Sequence, residues 1–301
     1  MRPREYVATR DYLRARETRD VPVESQYLEG IRILNGVFKT TSAHRLDDAN
    51  ERLLHHLVSK RERAVRVLDV ACSSGLSTVE LHDLLRSAGF DCETHGTDLL
   101  TELDLFQDAR GRGVLVDAAG KILQVDLAGT AVPWPPRPSD LLFRPVTVAR
   151  ATAYALATRS LLPTGSEVIR GGTVVRVPLT TRAVDGVPGL AIHRESILEP
   201  RIPGVFDVIR AANILNLRYF SQPELIRMAR ALFDRLAPEG LLLVIRSGPD
   251  GVNRGTLFRK TSARALAIVD RIHGGSEVES LVSTGPDLAR DPQEPKSAHG
   301  A

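Results

Sequence analysis

The residues best suited to chemistry are a run of small side chains that follows an acid at the end of an apolar segment. Residues 65–75 read V-R-V-L-D-V-A-C-S-S-G, with Asp69 as the acid and with Ala71, Ser73 and Gly75 behind it. Side chains this small leave backbone amides bare at the start of a helix, where a nucleotide-like ligand can approach them. The segment therefore predicts a strand followed by a cofactor-binding turn.

A second acid, Asp98, closes the next unit of the chain. Residues 74–89 carry apolar side chains at a helical period, and Gly89 is a suitable stop for that helix. A strand is predicted from Phe90 to Thr97, so that Asp98 follows Asp69 at about the distance that one strand-helix-strand unit needs. An acid at this point also occurs in dinucleotide-binding folds, so it does not decide between cofactors.

Later segments continue the alternation of strands and helices. Residues 206–216 read F-D-V-I-R-A-A-N-I-L-N, which predicts another strand and loop. Ser221-Gln222-Pro223-Glu224 has the pattern of a capping box and begins an amphipathic helix. The apolar run 241–245 predicts a strand buried on both faces. Residues 265–272 and 277–282 are strand-like on either side of a Gly-Gly turn and predict a hairpin.

In this order and spacing, the segments resemble the class I S-adenosylmethionine (SAM) dependent methyltransferases over roughly residues 65–100 and 190–282. Asp69 takes the place of the acid in the family's motif I, acid-x-G-x-G-x-G; Ala71 and Ser73 replace its first two glycines, and Gly75 keeps the third. A dinucleotide fingerprint, G-x-G-x-x-G, is not matched, because its positions hold Ala71, Ser73 and Leu76.

The resemblance implies an α/β fold: a doubly wound, mostly parallel, seven-stranded Rossmann-like sheet with an antiparallel last strand. A helical N-terminal cap would occupy residues 1–60, the SAM-binding domain 61–285, and a mobile tail 286–301. The chain is about sixty residues longer than the family pattern between strands 2 and 3, so residues 101–189 are interpreted as a large insertion.

The resemblance also implies the cofactor, SAM, and the residues that would bind it. Asp69 would orient the methionine amino group, and Asp98 would hold the ribose, because a carboxylate offers two acceptors to a vicinal diol. Glu195 and Ser196 are alternatives for the contact with adenine, and Asn213 would face the sulfur. The full predicted set is Asp69, Ala71, Cys72, Ser73, Gly75, Asp98, Leu99, Glu195, Ser196, Ile197 and Asn213.

No catalytic side chain is identified, because a methyl sulfonium needs mainly an in-line nucleophile at near-attack distance. An alcohol nucleophile would also need a base, for which His193 is a candidate beside His95 and His273. For each of the three, a structural or surface role is the commoner interpretation. No zinc-ligand spacing and no G-x-S-x-G motif occurs in the sequence, so we predict no metal.

The regions outside the family pattern predict helices and hairpins. In the N-terminal cap, helices are predicted over residues 27–38 and 46–58. In the insertion, hairpins are predicted over 113–126 and 168–177. Between those hairpins, residues 141–162 are apolar and alanine-rich, with three arginines. In one interpretation this stretch packs on the domain beneath it. In the other it contacts lipid, either by lying on a membrane or by covering an apolar substrate. Both interpretations stay open.

Composition is that of an ordinary soluble protein. The 301 residues are 43% hydrophobic and 26% charged, with a net charge of +3, and nothing in them requires nucleic acid as a partner. Cys72 and Cys92 are predicted to be buried structural thiols in a reducing compartment. The arginine-rich N-terminus lacks the apolar stretch of a signal peptide, so the cytoplasm is the expected location.

These observations predict a SAM-dependent transfer of a methyl group to oxygen or nitrogen of a small or lipid-like molecule, with peripheral membrane contact left open. Two alternatives are an NAD(P)-dependent oxidoreductase and a non-catalytic SAM-binding protein. A minor alternative is a protein carboxylate methyltransferase, because the pattern F-D-x-I-x-x-x-N-x-L at 206–215 resembles chemotaxis-receptor glutamate methyltransferases.

Overall fold

The computed structural model describes residues 6–31, 42–58, 63–159 and 172–284. The predicted mobile tail, 286–301, lies outside these residues. So does most of the helix predicted over 27–38. In chain order the elements are α1 (Thr9–Thr18), α2 (Val21–Gly30), α3 (Asp47–Leu57), β1 (Ala64–Val70), α4 (Leu76–Ser87), β2 (Asp91–Asp98), β3 (Glu102–Gln107), β4 (Gly113–Val116), β5 (Ile122–Leu127), β6 (Thr130–Pro133), α5 (Pro138–Phe143), α6 (Pro145–Arg159), β7 (Thr173–Pro178), β8 (Leu190–Arg194), β9 (Phe206–Ala212), α7 (Gln222–Asp234), β10 (Leu236–Ser247), β11 (Asn253–Ser262), β12 (Ala265–Ile272) and α8 (Glu279–Thr284).

Seven of the strands form one sheet in the order β12-β11-β10-β9-β1-β2-β8. The pairs β1–β9, β9–β10 and β2–β8 are parallel, whereas β10–β11 and β11–β12 are antiparallel. The fold is therefore mixed α/β with a mostly parallel sheet, as the sequence predicted. The order of the strands reverses between β1 and β9, and sheets of this kind bind ligands beyond the carboxyl ends of the strands at such a point.

The closing strands agree with the prediction in part. The predicted antiparallel pairing of the last strand is present, because β12 runs antiparallel to β11. The strand before it, β11, also runs antiparallel to its neighbour β10, which the sequence did not predict. The strand predicted over 277–282 is wrong, since α8 begins at Glu279. Val278 and Val282 are both buried in one apolar cluster, and their spacing of four residues places them on one side of a helix. The partner of β12 is instead β11, which the sequence did not indicate.

The chain divides into two compact units. The second unit comprises the described residues of 46–71, 88–93 and 195–301. In it, α7 and α8 pack on β1 and β9–β12 around an apolar cluster that includes Phe206, Ile209, Leu232 and Phe258. The predicted capping box is present at the start of α7, where the Ser221 N–H donates to the Glu224 carboxylate at 2.8 Å.

The first unit comprises the described residues of 1–45, 72–87 and 94–194, which include the insertion. The insertion contributes an antiparallel sheet of five strands in the order β6-β5-β4-β3-β7. Alternate side chains of this sheet pack on opposite faces: Leu115 joins a cluster with Tyr12 of α1 and Tyr27 of α2, whereas Val114 joins a cluster with Ala151 of α6. Because both faces are covered, β4 and β5 are buried along their whole length.

The insertion confirms one predicted hairpin and changes the other. Strands β4 and β5 pair as predicted over 113–126. In the second case, residues 168–171 lie outside the described chain, and β7 pairs with β3, a strand that the sequence did not indicate. The helix predicted over 141–162 is divided into α5 and α6 at Arg144. Helices of the predicted N-terminal cap belong to both units, with α1 and α2 in the first and α3 in the second.

Candidate functional site

The turn after β1 has an unusual backbone. Ala71, Ser73 and Gly75 all have positive φ angles, of 55°, 60° and 79°. Left-handed backbone is uncommon for residues with a side chain, and it concentrates at ligand sites and tight bends. The Cys72 N–H donates to the Thr97 carbonyl at 2.9 Å, which ties the turn to the end of β2. The turn that replaces the family's glycines is therefore built from small residues held in a glycine-like conformation.

Asp98 is anchored to this turn by its carboxylate. Its Oδ2 accepts the Ser73 N–H at 2.8 Å, and its Oδ1 accepts the Leu100 N–H at 3.0 Å. These two backbone bonds hold the carboxylate in a fixed orientation beside the turn. Leu99, which lies between Asp98 and Leu100 in the sequence, is 61% exposed. The structure thus brings together Ser73, Asp98 and Leu99, three of the predicted cofactor residues.

Gly75 and Cys72 have packing roles in the same turn. A Cβ atom on Gly75 would lie 2.9 Å from Cγ2 of Val184 and 3.2 Å from Cδ1 of Ile192, so the space beside Gly75 is filled by the chain itself. The Cys72 side chain is buried, and its sulfur lies against Gly96. Neither residue offers a side-chain surface to a ligand. The prediction that Cys72 and Cys92 are buried free thiols is confirmed.

Asp69, in the second unit, forms a buried ion pair that the sequence did not predict. Its Oδ1 accepts from Nε of Arg210 at 2.9 Å and its Oδ2 accepts from Nη2 at 2.6 Å. Nη1 of the same arginine donates to Oδ1 of Asn50 at 2.8 Å. Asp69 is 1% exposed and Arg210 is 0% exposed. The geometry is the two-pronged pairing of guanidinium with carboxylate.

This pair bears on the role expected of Asp69, which stays a prediction. The methionine amino group was expected to donate to its carboxylate, but both oxygens already accept from Arg210, and the carboxylate is closed off from solvent. Arg210 occupies the middle of β9 in the run F-D-V-I-R-A-A. A charged residue inside an otherwise apolar strand is the signal that could have found it, since a buried charge requires a partner.

Glu195 is likewise committed to the protein. Its Oε1 accepts from Nη1 of Arg235 at 2.6 Å, and its Oε2 accepts the N–H groups of Arg201 and Ile202, both at 2.8 Å. Burial raises the pKa of this carboxyl, but the two backbone donors and Arg235 outweigh burial, and the net result is a lowered pKa. Glu195 is thus bonded as an anion within the second unit, and the choice between Glu195 and Ser196 for adenine stays a prediction.

Three further predicted residues lie in the second unit. Ser196 is partly exposed, and its hydroxyl accepts the Leu198 N–H at 3.2 Å. Ile197 is buried in the apolar cluster of that unit, so a side-chain contact with a cofactor is not indicated. Asn213 has a φ of 62°, and its Oδ1 accepts the Ser247 N–H at 2.8 Å. This bond fixes the loop after β9 to the end of β10.

The three candidate histidines separate into a pair and a single residue. Nδ1 of His95 on β2 lies 3.1 Å from Nε2 of His193 on β8, so that one ring donates and the other accepts, according to tautomer. Nδ1 of His273 lies 2.8 Å from the Asn253 carbonyl and donates to it. His273 therefore has a structural bond, whereas His95 and His193 contact each other between β2 and the edge strand β8.

The first unit also contains a cavity of about 760 Å³, and no residue of the turn after β1 lines it. It is lined by α1 and by the turns that carry Arg110–Gly111 and Ala128–Gly129, and Arg10 and Arg14 are among the residues at its wall. Within the described chain, no group of three or more His, Cys, Asp or Glu side chains is placed to hold a metal ion. Over the same residues, no helix has the length and apolar character needed to cross a membrane.

No protein-family model matches this sequence, and a search of curated proteins also found no match. Solved structures that resemble this chain include the citrinin polyketide synthase CMeT domain, at 15% identity and a TM-score of 0.32, over 66% of this chain and 34% of that one. The SAM-bound amino pentose methyltransferase CalS10 of Micromonospora echinaspora is 14% identical, with a TM-score of 0.31, over 76% and 68% of the two chains. The N-methyltransferase NodS of Bradyrhizobium japonicum WM9, in complex with S-adenosyl-L-homocysteine (SAH), is 14% identical, with a TM-score of 0.33, over 73% and 71%.

This chain spans only about a third of the length of the first two structures matched, at 34% and 36%. At such TM-scores the likeness decides neither fold nor function, which rest on the strands and residues described above.

Proposed function

We propose that this chain is a SAM-dependent methyltransferase of class I, which transfers a methyl group to oxygen or nitrogen of a small or lipid-like molecule. The observation that carries the proposal is the bond from the Ser73 N–H to Asp98, which fixes a carboxylate beside a left-handed turn at the end of a parallel strand. A diol-binding acid and a bend of small residues are what an adenosyl group requires there. The dinucleotide alternative lacks support, because the turn has no glycine at the phosphate-approach positions.

In this proposal the protein's work is to bind and align. The bound cofactor supplies an activated methyl group on its sulfonium. Asp98 accepts from the ribose hydroxyls while the Ser73 and Leu100 amides hold its carboxylate in place. The exposed Leu99 side chain offers an apolar surface to the adenine ring. If the acceptor is an alcohol, the proton has a candidate receiver in the pair His95–His193, whose rings share one hydrogen bond.

One observation favours a second candidate, a protein that binds SAM without transferring its methyl group. The acid expected to grip the amino group of the methionine end, Asp69, is paired with Arg210 instead. Without a hydrogen bond to its amino group, the methionine end of the cofactor is held less firmly. Poorer alignment of the methyl group with its acceptor lowers the rate of methyl transfer. The two candidates share Asp98 and differ in how firmly the far end of the cofactor is held.

Calorimetry with SAH tests the shared part of the proposal. Asp98→Ala removes both acceptors for the ribose, and a hydrogen bond to a charged group is worth about 1.5–3 kcal/mol, so we expect SAH affinity to fall at least about tenfold. Asp83→Asn, an exposed position on α4, is the matched control and should leave affinity unchanged. Circular dichroism confirms that both variants are folded. Unchanged affinity in Asp98→Ala would show that the ribose site is misplaced.

Ligand truncation and an activity assay separate the two candidates. Methylthioadenosine lacks the amino acid end, so a methyltransferase that holds this end should bind it at least about tenfold more weakly than SAH. A protein that binds only the adenosyl part should bind both alike. Incubation with radiolabelled SAM and a panel of alcohol and amine acceptors then measures transfer directly. NAD, tested in the same calorimeter, should produce no heat of binding.

A further inference from the structure

The outward side of α6 is almost entirely apolar. From 146 to 158, where the structure describes the side chains, large or small apolar residues recur on this side at helical spacing with one charge, Arg150: Val146, Ala149, Ala153, Leu156 and Ala157. The opposite side is apolar as well, since Val148, Ala151 and Ala155 pack in the cluster beneath β5 and β6. A helix that is apolar all round is normally covered on both sides. The packing interpretation of this segment is thus correct for one face of α6 and leaves the other face without an explanation.

Helix α5 extends the same surface. Leu141, Leu142, Phe143 and Val146 are 53%, 74%, 51% and 71% exposed, so that four large apolar side chains meet solvent within six residues. Single exposed apolar residues are ordinary, whereas a contiguous group marks a contact surface. We call these four residues, together with the outward side of α6, the α5–α6 patch.

The charges of the patch are all positive. Arg144 and Arg150 lie among its apolar residues, and the former is half-buried. The acid of this segment is Asp140, which is 3% exposed and whose Oδ2 accepts the Arg137 N–H at 3.0 Å. From residue 134 to 158 the surface therefore carries arginine without an exposed carboxylate.

We propose that the α5–α6 patch docks on an anionic membrane surface. At an anionic lipid interface the large apolar side chains of the patch can enter the acyl boundary while the guanidinium groups of its arginines remain among the headgroups. A protein partner would need an apolar face with carboxylates opposite the arginines. Protein interfaces commonly use charges of both signs to orient the two partners. Among its described residues the patch has no exposed acid, so it lacks that means of orienting a protein. The inference goes beyond methyl transfer and does not depend on cofactor binding.

Co-sedimentation with extruded vesicles tests this docking on the full chain without cofactor. Wild-type protein should pellet with vesicles of phosphatidylglycerol and phosphatidylcholine at 1:1 and should stay in the supernatant with pure phosphatidylcholine. The variant L142D/V146D places two charges in the apolar part of the patch and should bind the anionic vesicles at least about tenfold more weakly. Arg150→Gln should weaken binding about fivefold, because one basic residue near such a surface is worth about 1 kcal/mol.

Val21→Asp is the matched control, because Val21 is 63% exposed on α2 and lies outside the patch. It should pellet like wild type. Failure of wild type to pellet with anionic vesicles overturns the proposal, and so does equal pelleting of wild type and L142D/V146D. Gel filtration tests whether a second copy of the chain covers the patch. If the wild-type chain is a dimer and L142D/V146D is a monomer, a second copy covers the patch and the membrane proposal is wrong. Since no SAM is present, none of these results bears on the proposed methyl transfer.

Discussion

The buried pair of Asp69 and Arg210 makes the sharpest prediction about stability. Arg210→Met keeps most of the side-chain volume and removes the guanidinium from both Asp69 oxygens and from Asn50. The carboxylate, 1% exposed, then has to be buried without its cation. Breaking a buried pair from one side costs about 3–5 kcal/mol, which is a large share of the about 5–15 kcal/mol that stabilises a typical domain.

The double variant Asp69→Leu/Arg210→Met distinguishes the charge from its surroundings. Replacing both partners by apolar residues removes the unpaired charge, so the double variant should recover most of the loss and unfold within about 2 kcal/mol of wild type. Arg218→Met, an exposed position on the loop after β9, is the control and should change stability by less than about 0.5 kcal/mol.

Urea unfolding followed by far-ultraviolet circular dichroism measures all four proteins. Two results would contradict the expected cost: a loss of less than about 1 kcal/mol in Arg210→Met, or a double variant that loses as much stability as Arg210→Met alone. In either case the pair would be a packing contact whose charges contribute little. Asp69 would then again be a candidate ligand of the cofactor's amino group.

Two further predictions concern the same elements. Despite its burial, the folded pKa of Glu195 lies below its ordinary value of 4.5, because the Arg201 and Ile202 N–H groups and the Arg235 guanidinium favour the carboxylate. These bonds therefore stabilise the protein above pH 4.5 and are lost as the pH falls through the lower folded pKa. In Glu195→Gln the melting temperature should depend less on pH below 4.5 than in wild type, and an equal dependence would contradict this. Gly75→Ala should cost about 1–3 kcal/mol, because its Cβ would meet Val184 at a φ of 79°, and a melting temperature equal to wild type would count against the packing described for the turn.

Much of the sheet follows from patterns along the chain. Strand β1, helix α4 and strand β2 were all predicted within about two residues of their ends, because alternating apolar segments and a glycine stop are local signals. The strand β11 was missed because its sequence, N-R-G-T-L-F-R-K-T-S, is polar at both ends and shows no clear period. Residues 277–282 were misread because a short run with few apolar residues fits a strand and one helical turn alike.

The sequence by itself indicated that the small residues of the turn lie beside the acid Asp98. Ser73 follows one strand and Asp98 ends the neighbouring strand, so that the ends of those strands bring them together. The sequence could not assign the work of the other acids. Asp69 and Glu195 each follow or close a strand, as a ligand-binding acid would, yet each is neutralised by an arginine far away in the chain. Such ion pairs form only when tertiary packing brings distant segments of the chain together. A buried charge is costly unless it has a partner, and the sequence does not show which partner the packing supplies.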